Sequence, residues 1–70
     1  MTIGEARARV EEIRAKSGDD EWAHSAEDEM YLAILRQLVE AKTAQEANDA
    51  ALVAAIALET QDIDFQRWCA

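Results

Sequence analysis

The sequence predicts an all-α fold, a small bundle of three main helices plus a short C-terminal helix, and three observations carry that expectation. The 70 residues include no proline and only two glycines. Fifteen are alanine and four are aromatic, a composition poor in sheet formers. Capping signals recur just ahead of segments with helical apolar spacing. The length fits one domain, residues 1–70, and a chain of this size buries only about 60% of the surface its unfolded form exposes.

The first helix is expected over about 3–16. Thr2 and Glu5 have capping-box spacing, in which hydroxyl and carboxylate each satisfy an orphan backbone N–H. Ser17-Gly18 supplies the stop. Ile3, Ala6, Val10 and Ile13 form a narrow seam suited to one partner helix, flanked by Glu5–Arg9 and Glu12–Lys16 at i,i+4. The seam reads either as the inner edge of a peripheral helix or as a pairing surface.

An acidic linker, Asp19 to His24, follows and contains Trp22, either a plug on the core or an exposed anchor. Ser25 and Asp28 mark a second start, predicting a helix over 26–42. Tyr31, Leu32, Ile34, Leu35, Leu38 and Val39 fill one arc of about 160° on its wheel, an expected core face. Thr43 and Glu46 make a third capping box and predict a helix over 44–59. Ala44, Ala47, Ala51, Ala54 and Leu58 line one side of it, with Leu52 and Ile56 nearly opposite. A helix apolar on two sides is contacted twice, by another part of the chain or by another subunit. Asp62 then reads as the N-cap of a short helix over 63–69, whose Phe65 and Trp68 form either a lid or a docking element.

Charge excludes several functions. Fifteen acids against seven bases give a net charge of −8, and residues 17–70 hold twelve acids and only Arg36, Lys42 and Arg67 as bases. Nucleic-acid binding draws on clustered Lys and Arg, so direct DNA or RNA binding is not expected. A helix-turn-helix fails for the same reason, since Thr43 to Gln66 contains neither Lys nor Arg. Anionic membranes are disfavoured too. The longest apolar run, Ala50 to Leu58, is too short to span a bilayer. The N-terminal residues lack the pattern of a secretory signal, and Cys69 is a lone thiol. The expected compartment is cytoplasmic.

Catalytic and cofactor chemistry find little support. His24 and Asp28 stand at i,i+4 near further acids, but structural zinc sites use several Cys and His and the chain has one of each. Asp62-Ile63-Asp64 opens like a calcium loop, yet Gln66 and Arg67 occupy positions where an Asp or Asn and a glycine belong. Cys69 lies next to last, a poor site for a preorganised nucleophile. No metal, no cofactor and no enzymatic activity are expected.

The segment from Leu58 to Trp68, with the acidic start from Ser25 to Met30, resembles the short uncharacterised reading frames of actinobacteria and their phages. The alanine content, and five arginines against two lysines, fit a GC-rich genome. The resemblance implies a bacterial or phage accessory protein and no particular activity.

The function expected from the residues is a non-enzymatic protein-interaction module, an adaptor or regulator that forms a homodimer. Its apolar docking residues would be Ile3, Val10, Ile13, Leu52, Ile56, Phe65 and Trp68. The alternative is an acidic inhibitor that mimics nucleic acid and occupies a basic groove on a host or defence protein, presenting Glu27, Asp28 and Glu29.

Overall fold

The structure, a computed structural model, describes residues 1–67. Three helices make up the bundle: α1 over Ile3–Ala15, α2 over Asp20–Glu40 and α3 over Ala44–Ala57, with a 3₁₀ turn over Leu58–Asp62. No strand occurs among the described residues. The all-α expectation holds, and the differences lie in where α2 begins, which of its faces is buried, and the form of the C-terminal segment.

The α1 start is the expected capping box. Thr2 Oγ1 accepts from the Glu5 N–H at 3.1 Å, and Glu5 Oε1 accepts from the Thr2 N–H at 2.8 Å. With its carboxylate engaged there, Glu5 leaves Arg9 to pair with Glu12 at 3.0 Å, and Lys16 reaches Glu12 at 3.4 Å. The helix closes at Lys16 without a left-handed residue, so Gly18 is not used as a cap.

Helix α2 begins six residues earlier than Ser25 and Asp28 suggest. Asp19 is the N-cap, its carboxylate accepting from the Trp22 N–H at 3.1 Å. Asp20 and Glu21 occupy the first turn, where negative charge complements the helix dipole. Nothing between Asp20 and Ala26 breaks a helix, and continuing through this stretch buries Ala23 and Ala26. The expected acidic linker is therefore helical. Trp22 is half-buried against the core, with the Lys16 ammonium 4.7 Å from its ring centre.

Helix α3 is capped by Thr43, which accepts from the Glu46 N–H at 3.1 Å. The Glu46 carboxylate takes the Lys42 N–H rather than the Thr43 N–H. Helix α3 packs on both α1 and α2, which touch each other less, and buries Ala50, Val53, Ile56 and Ala57 there. Of the two apolar sides expected, only Ile56 is buried, while Ala44, Ala51, Leu52 and Leu58 are exposed.

The C-terminal segment departs most from expectation. Asp62 ends the 3₁₀ turn instead of capping a helix, and residues 63–67 are not helical. Ile63 and Phe65 point inward while Asp62, Asp64 and Gln66 point out, a period of two. The segment is an extended strap laid across the bundle. Trp68 and Cys69 lie outside the described residues.

The core gathers Ala6, Val10 and Ile13 of α1, Ala23, Ala26, Met30 and Ile34 of α2, and Val53, Ile56 and Ala57 of α3, closed by Ile63 and Phe65 of the strap. The wheel of α2 thus faces inward through a stripe of small residues plus Met30 and Ile34. The arc expected to be core is mostly outside: Ile34 is buried and Tyr31 half-buried, but Leu32, Leu35, Leu38 and Val39 are exposed. Alanines let α2 approach its neighbours closely, and the contact they make turns the bulky leucines about a third of a turn away from the core.

Candidate functional site

The expected docking residues do not form one surface. Val10, Ile13, Ile56 and Phe65 are buried in the core, so none of the four is available to a partner. Their seam spacing marked intramolecular packing, because α3 and the strap occupy the faces they present. Ile3 and Leu52 are exposed, but on different helices and without the rest of the set. Trp68 lies beyond the described residues.

The alternative acidic set also comes apart. Glu27 is 2% exposed and bonded to Arg67, and it cannot offer its charge to a groove. Asp28 and Glu29 are exposed, and Asp28 lies 3.4 Å from His24 Nε2. Among the described residues, no three His, Cys, Asp or Glu side chains gather as a metal would require. No helix among them is long and apolar enough to cross a membrane.

Among the described residues, the buried polar side chains Glu27 and Thr60 belong to one cluster, centred on Arg67. Arg67 donates through Nε to Glu27 Oε1 at 2.8 Å and through Nη2 to Glu27 Oε2 at 3.1 Å. Nη2 shares its second hydrogen between the carbonyls of Thr60 at 2.7 Å and Ile63 at 3.1 Å, and Nη1 donates to the Phe65 carbonyl at 3.3 Å. Thr60 Oγ1 and the Tyr31 hydroxyl are hydrogen-bonded to each other at 2.6 Å. Thr60 also reaches the Ala57 carbonyl at 3.0 Å, and the Tyr31 hydroxyl reaches Glu27 Oε2 at 3.5 Å and accepts from Gln61 Nε2 at 2.8 Å. Burial is the strongest influence on the Glu27 carboxyl and pushes its pKa up. The Arg67 hydrogen bonds and charge, with the Thr60 and Tyr31 hydroxyls, outweigh it and hold that pKa below the usual carboxylate range. Every buried side-chain nitrogen and oxygen among the described residues has a partner. A fully satisfied network of this kind holds the strap in place.

The feature that sequence reasoning misplaced is the outer face of α2. Leu35 is 60% exposed and Val39 85%, with Leu32 and Leu38 about half exposed beside them. Across a shallow groove of about 270 Å³ stands Leu58, 61% exposed, and the walls are Tyr31, Ile34, Leu35, Ala54, Ala57 and Leu58. The groove carries almost no polar surface. Ala47, Ala51 and Ala54 precede Leu58 at the spacing of one helical face, so the apolar surface continues back along α3. The signal was present in the wheel of α2, whose bulky arc was real but was assigned to the core. Contiguous apolar surface of this kind, with a polar surround, marks interaction sites in proteins.

No protein-family model, no curated protein and no solved structure matches the chain.

Proposed function

We propose that this chain is a non-enzymatic protein-interaction module that self-associates through the apolar face of α2 and the adjoining edge of α3. The observation that carries the reading is the uncovered set Leu32, Leu35, Leu38 and Val39 on the outer arc of α2, with Leu35 and Leu58 lining one apolar groove between α2 and the end of α3. Together these side chains leave about three side chains' worth of aliphatic surface in water. At ~1.5–3 kcal/mol per side chain, covering them contributes about 5–9 kcal/mol per protomer as an upper bound. Association costs about 4–15 kcal/mol in lost freedom and ordering. A second copy brings an equal face and roughly doubles the gain, to about 10–18 kcal/mol as an upper bound.

The test is a pair of single substitutions read by sedimentation. Leu35→Glu places a charge at the centre of the face, and Leu52→Glu places one on a different, comparably exposed side of α3. Both variants should remain helical. Leu35→Glu should sediment as a monomer and Leu52→Glu as the parent does. Equal behaviour of the two variants removes the reading.

A second reading, the acidic nucleic-acid mimic of bacterial or phage origin, retains the net charge of −8 and the exposed Asp28 and Glu29. It predicts a foreign basic partner whose binding collapses with salt, since surface charges are screened within about 8–10 Å at moderate ionic strength. Apolar self-association resists salt. The uncovered leucines have no role in the mimic, and this favours the first reading.

A further inference from the structure

We infer that the C-terminal strap gates the association face: the Glu27–Arg67 pair, acting through the 3₁₀ turn and Tyr31, holds Leu58 in the groove wall, so that closure of the strap and covering of the face favour each other. The inference rests on the self-association reading and states how that face is controlled.

The groove and the ion pair are built from shared parts. Glu27, Tyr31 and Leu35 follow one another at intervals of four, so one ridge of α2 runs from the pair to the outer face. Tyr31 stands in the groove wall, and its hydroxyl is hydrogen-bonded to Thr60 Oγ1 at 2.6 Å and to Gln61 Nε2 at 2.8 Å. Ala57, another wall residue, accepts from Thr60 Oγ1 at 3.0 Å through its carbonyl. Leu58, a third, is the first residue of the 3₁₀ turn, two ahead of Thr60. Three of the six wall residues therefore belong to the turn or bond to it.

The turn owes its shape to the strap. A 3₁₀ helix has poorer hydrogen-bond geometry than an α-helix, and no side chain caps the start of this one. Its Thr60 carbonyl accepts from the Ile63 N–H at 2.9 Å and from Arg67 Nη2 at 2.7 Å. Further along, the strap is fastened by the buried Ile63 and Phe65, by Arg67 on Glu27, and by the Gln66 N–H on Asp20 Oδ1 at 3.2 Å. Opening the strap removes these contacts together and releases the turn that carries Leu58.

Linkage then runs both ways. A face that forms only in strap-closed chains has its apparent Kd divided by the closed fraction. In a dimer both copies must be closed, so the fraction enters squared and halving it weakens association about four-fold. By reciprocity, association holds the strap closed. Arg67, Thr60 and the Tyr31 hydroxyl are positioning groups, and Leu35 and Leu58 make the contact.

Sedimentation equilibrium on four chains tests the first direction, with circular dichroism confirming that each is folded. Arg67→Ala removes the cation, which does not line the groove. Tyr31→Phe keeps the ring and removes only the hydroxyl. Thr2→Ala is the control: it removes one bonded hydroxyl from the α1 cap, at the end of the bundle where α2 finishes and α3 starts, away from the turn. Relative to the parent, Kd should rise about ten-fold or more for Arg67→Ala, a closed fraction of about a third or less, and about two- to five-fold for Tyr31→Phe. Thr2→Ala should match the parent. Parent-like affinity in both Arg67→Ala and Tyr31→Phe overturns the gating and leaves self-association intact. Equal weakening in all three variants assigns the effect to general loss of stability and overturns it too. Should Arg67→Ala fail to fold, Tyr31→Phe against Thr2→Ala carries the same decision.

Amide hydrogen exchange in the parent reads the reverse direction. Exchange at the Ile63 and Gln66 N–H groups should slow as the protein concentration rises through the dimer Kd. Exchange at Ala6, whose N–H is bonded to the Thr2 carbonyl at the start of α1, should stay constant. Unchanged exchange at Ile63 and Gln66 in a chain that light scattering shows to be dimeric overturns the gating. A monomer at every concentration removes the self-association reading, and the gating with it.

Discussion

Glu27 and Arg67, forty residues apart, meet in a two-pronged ion pair at 2.8 and 3.1 Å that fastens the C-terminal strap to α2. The Glu27 side chain is 3% exposed and that of Arg67 29%, and the guanidinium lies 3.9 Å from the centre of the Phe65 ring. The strap therefore closes the core with two apolar side chains, Ile63 and Phe65, and then locks them with a charge beyond. Because the same strap covers the core near the 3₁₀ turn, it also fixes the position of Leu58 on the outer face.

Removing the cation should cost more than the pair is worth. Arg67→Ala leaves a buried carboxylate without its counter-charge, and breaking a buried pair from one side costs about 3–5 kcal/mol. Partial exposure of Arg67 places the expected loss at about 2–4 kcal/mol. Urea unfolding followed by circular dichroism measures it. A midpoint within error of the parent would show that the strap contributes nothing.

The same pair sets an acid limit to stability. The Glu27 pKa is lowered in the folded chain, so folding favours its ionised form. The stabilisation is fully present above the unfolded carboxylate pKa, near 4.5, and is lost as pH falls through the lower folded value. Glu27→Gln should therefore be less stable than the parent at neutral pH, with the difference shrinking below about pH 4.5. Thermal unfolding at a series of pH values reads this. A difference that grows as pH falls contradicts it.

The start of α2 separates two caps by mutation. Asp19→Ala removes the carboxylate that accepts from the Trp22 N–H and should cost about 1 kcal/mol. Ser25 lies inside the helix on an exposed position, so Ser25→Ala should be neutral or slightly stabilising. Equal losses in urea unfolding, or a larger one at Ser25, would place the helix start where the Ser25–Asp28 spacing suggests.

How far the sequence could be read differs by element, for physical reasons. The box at Thr2 and Glu5 is a local interaction, and it formed as its spacing implies. The seam Ala6, Val10 and Ile13 packed inward as a narrow seam does. Helix α2 misled because bulk was read as burial. Its inner stripe is Ala23, Ala26, Met30 and Ile34, and starting the helix at 26 removed Ala23 and hid the run. Once that stripe packs, Leu35 and Val39 must face away. The strap is legible as alternation, with Ile63 and Phe65 separated by Asp64, but a run this short also fits a helical period. The Glu27–Arg67 pair was not legible, since two residues forty apart in sequence carry no local sign of meeting.

The most direct test of the central claim, self-association through the outer face of α2, is the molar mass of the parent protein by light scattering behind size exclusion. It is measured across ~1–500 μM and at about 0.05 and 0.5 M salt. The expected result is a species near twice 7.8 kDa that persists at the higher salt. A monomer of 7.8 kDa throughout the range would contradict the claim, leaving the exposed leucines without the partner proposed for them.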